Sequence, residues 1–179
     1  MNDPEAVAGL TLRPWRDDDA AALITVVGDP LLERWTRVRA GDPGEARQWL
    51  EMQHAGRRTG SRFSFAVLDE AGKLVGNVAL KRPDPAADDA EVGYWTAAYA
   101  RGRGIAPRAL GSLTRWAFAT FPGVRRLRLL HQVDNTGSCR VAVKSGYVYE
   151  QTLSACHPYP LEGHLHVCHR QLQDPELAR

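Results

Sequence analysis

The sequence predicts a single mixed α/β (α+β) domain, and three observations carry that reading. Segments of two-residue apolar alternation interleave with segments of helical spacing. Their order is strand, two helices, three strands, helix, strand, helix, strand, strand, a pattern that packs as one system of layers. The 179 residues are 44% hydrophobic and 25% charged, near the globular average, which suits one domain with a sizeable core. The domain is expected over residues 9–172, with flexible termini at 1–8 and 173–179.

Each element has a local reason. Leu10-Thr11-Leu12-Arg13 alternates as a short strand closed by Pro14. Residues 17–27 read as a helix, with acidic residues in the first turn and Ala20, Leu23, Ile24 and Val27 along one face. Gly28-Asp29-Pro30 stops it, and residues 31–36 fit a further helical turn. Asp42 is a candidate N-cap, with Pro43 at the first helical position of a segment that carries Trp49, Leu50 and Met52 before Gly56. Residues 63–68 and 74–80 alternate as strands joined by a hairpin-like turn at 69–73. Residues 82–89 are rich in Pro and Asp and form a loop, and 90–95 return to a strand.

Beyond residue 106, Leu110, Leu113, Ala117 and Phe121 recur at helical spacing, with Pro107 tolerated in the first turn and Pro122-Gly123 at the end. Arg126 and Arg128 alternate with Leu127 and Leu129 in a strand over 127–133. Asp134-Asn135 offers an N-cap to a helix that ends at Gly146. Residues 147–153 and 164–172 close the chain as two strands.

Charge and cysteine usage exclude several classes. Twenty-three basic and 21 acidic residues leave a net charge of +2, so no global field draws nucleic acid or an anionic membrane. The N-terminal residues lack the basic start and apolar run of a signal peptide, and no apolar stretch reaches membrane-spanning length. Three cysteines, an odd count with no CxxC, point to a reducing compartment, hence a soluble cytoplasmic protein.

Arg101-Gly102-Arg103-Gly104-Ile105-Ala106 lies between a strand-like and a helix-like run. Glycine lets the main chain approach a ligand closely, and a helix that starts at once aims its free N–H groups and positive dipole end at the same spot. The six residues alone fit either a phosphate cradle or an ordinary glycine-rich connection with solvated arginines. His164, His166 and Cys168 share one face of the last strand. Three neighbours on one strand do not close a tetrahedron unless another element adds a ligand, so no metal is expected. Cys139 reads as a small core residue. Trp15, Trp35 and Trp49 fit either core or cleft.

Three motifs in order resemble the GCN5-related N-acetyltransferase (GNAT) family, and within it the RimJ/RimL-like branch acting on ribosomal-protein N-termini. They are Glu91-Val92-Gly93-Tyr94-Trp95, then the Arg101–Ala106 stretch, then Asp134-Asn135-Thr136-Gly137-Ser138-Cys139-Arg140-Val141 followed by Lys144-Ser145-Gly146-Tyr147. Leu12-Arg13-Pro14-Trp15 also fits the branch. The resemblance implies a central, mostly antiparallel mixed sheet of about seven strands, splayed in its middle and flanked by about four helices.

It further implies an acetyl-CoA-dependent transfer to a primary amine, either a protein N-terminus or a small molecule, by direct attack on the thioester. Arg101, Gly102, Arg103, Gly104, Ile105 and Ala106 would hold the pyrophosphate. Gly93, Tyr94, Trp95 and Thr96 would pair with the pantetheine arm, and a backbone N–H near Tyr94 or Trp95 would serve the oxyanion. Ser138 would be the acid for the leaving thiolate, and Asn135 would bond the pantetheine or position Ser138. Glu91 is the first candidate base, with Glu162, His164 and His166 behind it. A non-catalytic acyl-CoA-binding module and a succinyl-CoA-type donor remain as alternatives, and monomer and homodimer are both open.

Overall fold

The computed structural model describes residues 2–156 and 160–170. Its elements are β1 (Leu10–Pro14), α1 (Ala20–Val27), α2 (Pro30–Trp35), α3 (Pro43–Thr59), β2 (Arg62–Asp69), β3 (Leu74–Lys81), β4 (Asp89–Thr96), α4 (Ile105–Thr120), β5 (Arg126–Gln132), α5 (Thr136–Lys144), β6 (Val148–Leu153) and β7 (Gly163–His169). Five helices therefore flank the sheet among the described residues, where about four were expected. The additional one is α2, the turn anticipated at 31–36: Pro30 opens it and the Asp29 carboxylate accepts the Leu31 N–H at 3.2 Å.

Two further boundaries differ from the sequence reading. Helix α3 continues through Gly56 to Thr59 and stops at Gly60, whose φ of 75° suits a C-terminal cap. Gly56 is there for packing, since a Cβ on it would lie 2.7 Å from the Arg62 Cβ. Residues 2–8, expected to be flexible, are tied along α4 instead. The Trp116 indole N–H donates to the Asn2 carbonyl at 2.6 Å, and the Ser112 hydroxyl to that of Glu5 at 2.8 Å. The expected strand end at Leu172 and the tail 173–179 lie outside the described residues.

The sheet runs β1-β2-β3-β4-β5-β7-β6, antiparallel throughout except between β4 and β5. A parallel pair needs a crossover, and α4 supplies it. The pairing covers only Asp89↔Arg126 to Val92↔Leu129. Beyond that point β4 continues against β3 alone and β5 against β7 alone, so the sheet opens as a V between residues 93–96 and 130–132.

Two aromatic clusters pin the sheet on either side of the opening. Trp15 packs edge-on to Trp49 at 4.9 Å and lies 6.0 Å from Trp95 of β4. Phe63, Phe65 and Phe121 surround Trp116 of α4 at 5.1–5.6 Å. Trp15 and Trp49 are thus core residues, whereas Trp35 is half-buried under the Arg34 guanidinium, 4.6 Å from its ring. No helix among the described residues is long and apolar enough to cross a membrane.

Gly76 of β3 is where the sheet tolerates no side chain: a Cβ would sit 2.6 Å from the carbonyl oxygen of Trp95 on β4. Gly76→Ala is therefore expected to lower stability by about 1–3 kcal/mol, the range for overpacking. Urea unfolding measures this, and an unchanged midpoint would mean that β3 and β4 separate there without cost.

Candidate active site

The opening between β4 and β5 gathers the residues that the sequence motifs single out. At one end lies the turn from Arg101 to Gly104. Gly102 and Gly104 hold φ of 76° and 68°, a left-handed conformation that side-chain-bearing residues rarely adopt, with nothing within 4 Å of where a Cβ would stand. Gly104 is the N-cap of α4 and gives it no side-chain cap. The first N–H groups of α4 are consequently left for a ligand, and the helix dipole adds positive potential there.

The arginines of this turn have separate jobs. Arg101 forms an ion pair with Asp29, the N-cap of α2. Desolvation pushes the Asp29 carboxylate up, but Arg101 and the Leu31 N–H outweigh it and hold it below the ordinary value. Arg108, which the motif does not include, braces the turn by donating to the carbonyls of Gly104 and Arg103 at 3.1 and 3.2 Å and to that of Ala8. Arg103 has no ion pair among the described residues and stays exposed.

At the other end Tyr94 crosses the V from β4 to α5. Its hydroxyl donates to the Ser138 Oγ at 2.8 Å. Sequence reasoning placed Tyr94 here for its backbone and missed the side chain, because the two residues are 44 apart in the chain and only the splay brings them together. Burial pushes the Tyr94 phenol up to about 12, with the bond to Ser138 pulling the other way, so it is a neutral donor throughout the physiological range. Asn135 caps α5, and its side-chain oxygen accepts the Ser138 N–H at 3.1 Å. The same bond that starts the helix fixes the orientation of Ser138.

Glu91 lies in the part of β4 that is still paired with β5, opposite Arg128. Its carboxylate is engaged by the Lys81 ammonium on β3. By alternation it shares a face with Gly93 and Trp95, the opposite face from Tyr94. Trp95 contributes a buried indole N–H without a partner on that side. Of the other candidate bases, Glu162 is exposed, and its carbonyl accepts the Val133 N–H at 3.0 Å. His166 is 1% exposed, and burial lowers its pKa together with that of His131. His164 and His166 lie beside Cys139 rather than beside Ser138, and Cys168 is apart from them, its Sγ near the His169 carbonyl.

A family model for the acetyltransferase (GNAT) domain matches residues 9–148, well over half of the chain. This chain belongs to the GNAT family. Over 89 residues it is 33% identical to the ribosomal-protein-serine acetyltransferase of Escherichia coli (strain K12), a match that spans 50% of this chain and 49% of that protein. Among solved structures, RimL, a ribosomal L7/L12 alpha-N-protein acetyltransferase in complex with coenzyme A, superposes with a TM-score of 0.84 at 18% identity, covering 93% of this chain and 97% of that one. Mycobacterium smegmatis RimJ in complex with CoA-disulfide has a TM-score of 0.78 at 24% identity over 98% of this chain and 90% of that one. At such identities the two structures establish the GNAT fold for this member.

The elevated Tyr94 pKa has a consequence for the stability of this GNAT domain. The folded-state value exceeds the ordinary 10, so its contribution is complete below about pH 10 and is lost as pH rises towards 12. Relative to Tyr94→Phe, the wild type should lose roughly 2–3 kcal/mol across that interval, by 1.36 kcal/mol per pKa unit. Denaturant unfolding of both proteins at several alkaline pH values measures the difference; a constant difference would mean that the phenol is solvated.

Proposed function

We propose that the chain transfers an acetyl group from acetyl-CoA to a primary amine, and the observation that carries this reading is the Tyr94–Ser138 pair at the mouth of a V that ends in an uncapped helix. The pyrophosphate lies on the N–H groups of Gly102 to Ala106, with Arg103 as its mobile cation. The pantetheine arm pairs with the open edge of β4 at Gly93 to Thr96. The thioester then reaches the apex of the V, next to Ser138.

There the amine nitrogen attacks the thioester carbonyl carbon, and a backbone N–H at Tyr94 or Trp95 stabilises the oxyanion. The tetrahedral intermediate collapses with loss of the coenzyme A thiolate. Since Tyr94 donates to Ser138 Oγ, the Ser138 proton is free to point at the departing sulfur, which is protonated as the carbon–sulfur bond breaks. The proton lost by the amine goes to Glu91, directly or through water, from the Gly93 side of the strand.

The acceptor is a protein N-terminus in this reading, in keeping with the printed activity of the curated relative; a small-molecule amine is the second outcome of the assay. Three free cysteines among the described residues support a cytoplasmic setting. No step uses a metal.

Coenzyme A release on incubation with acetyl-CoA and a panel of peptides and small amines tests the activity. Tight binding without turnover across the panel would make the chain an acyl-CoA-binding module instead, and turnover only with succinyl-CoA would change the donor. Gly104→Glu should abolish acetyl-CoA binding by calorimetry, because it strains a left-handed position and sets a carboxylate against the pyrophosphate. Unchanged affinity would remove the cradle. Ser138→Ala and Glu91→Gln should each lower kcat by about 10²-fold or more with little change in coenzyme affinity. A wild-type rate in either would end that residue's assignment.

A further inference from the structure

Four metal-binding side chains from three elements converge on one face of the sheet, just past the point where β4 and β5 part. His131 ends β5 and lies opposite His164 on β7, while His166 lies opposite Leu129, so the three imidazoles point the same way. The first turn of α5 lays Cys139 over them. Its Sγ is 3.7 Å from the Nε2 of His166 and 4.0 Å from the Nδ1 of His164. One ligand atom from each of the four lies within 4.8 Å of the others. A tetrahedral zinc with sulfur at about 2.3 Å and nitrogen at about 2.05 Å would set sulfur and nitrogen about 3.6 Å apart. The cluster is thus within an ångström or so of a filled coordination shell.

The hydrogen bonding leaves the required lone pairs without partners. His131 Nδ1 lies 2.8 Å from the Gln132 carbonyl, which can only accept, so this nitrogen carries the proton and Nε2 holds a bare lone pair. That Nε2 is buried and has no hydrogen-bond partner, and so is the Nδ1 of His166, a side chain only 1% exposed. A ring nitrogen tied to a backbone carbonyl while the other faces inwards is the arrangement that orients a ligating histidine. Buried polar atoms without partners are costly, and few packed cores collect several in one place.

We propose that His131, Cys139, His164 and His166 form a closed four-coordinate site for a zinc-class divalent cation. Four protein ligands leave no position open for water or substrate, so the ion is structural. It binds as the Cys139 thiol yields its proton to solvent and a metal–sulfur bond forms. The ion would clamp the first turn of α5 to β5 and β7, one residue from Ser138. The final strand alone offered too few ligands for such a site, and the missing ones come from β5 and α5.

The test uses the full chain, stripped by a chelator and kept reduced, titrated with Co²⁺ and then Zn²⁺. We expect one Co²⁺ per chain, with tetrahedral d–d bands and a thiolate-to-cobalt charge-transfer band that Zn²⁺ abolishes. Cys139→Ser should remove that band, and His164→Ala should weaken binding by about 100-fold or more, beyond the 10–100-fold typical of losing an outer partner. The double variant Cys156→Ser/Cys168→Ser leaves Cys139 as the sole cysteine and should keep the full spectrum, so it decides the matter even where Cys139→Ser does not fold. Absence of a tetrahedral spectrum, survival of the band in folded Cys139→Ser, or its loss in the double variant would overturn the site. None of these readouts depends on acetyl transfer.

Discussion

Strands β4 and β5 are paired over four residues and then diverge, and the functional half of the molecule depends on that divergence. If their pairing continued past Val92 and Leu129, the edge of β4 from Gly93 onwards would be covered by β5 and no thioester could lie against it. Tyr94 would have no gap to cross to reach Ser138. The divergence is held open from both sides. Trp95 is anchored to Trp15 and Trp49, while β5 is committed to β7 over its whole length. The gap is therefore a product of two well-packed half-sheets.

Much of this was legible in the sequence because the decisive signals were local. Asp42 and Asn135 as caps, Pro43 at the start of α3, Gly104 before α4 and the strand alternation all express preferences of a few neighbouring residues. Their order along the chain was enough to identify the family. Gly56 misled for an equally physical reason. A helix usually pays a penalty for glycine, but here the neighbouring Arg62 backbone comes so close that only glycine fits.

What stayed hidden was produced by register and crossing. The Tyr94–Ser138 bond needs both the splay and the placement of α5. The pairing of Glu91 with Lys81 follows from the β3–β4 register, which the sequence does not specify. The same holds for His131 and Cys139, which look unrelated to His164 and His166 until β5 is placed beside β7. Arg108 looked like one more solvated helix residue, although it stitches the glycine turn to the N-terminal segment.

The glycine turn itself has an entropic meaning. Gly102 and Gly104 are already in the left-handed region, and Arg108 ties the carbonyls of Arg103 and Gly104 in place before any phosphate arrives. The loss of backbone freedom in the most flexible residue type is thus borne during folding, where the core of α4 compensates for it. Donor capture then requires little further ordering of the chain, so a larger share of each new contact appears as affinity.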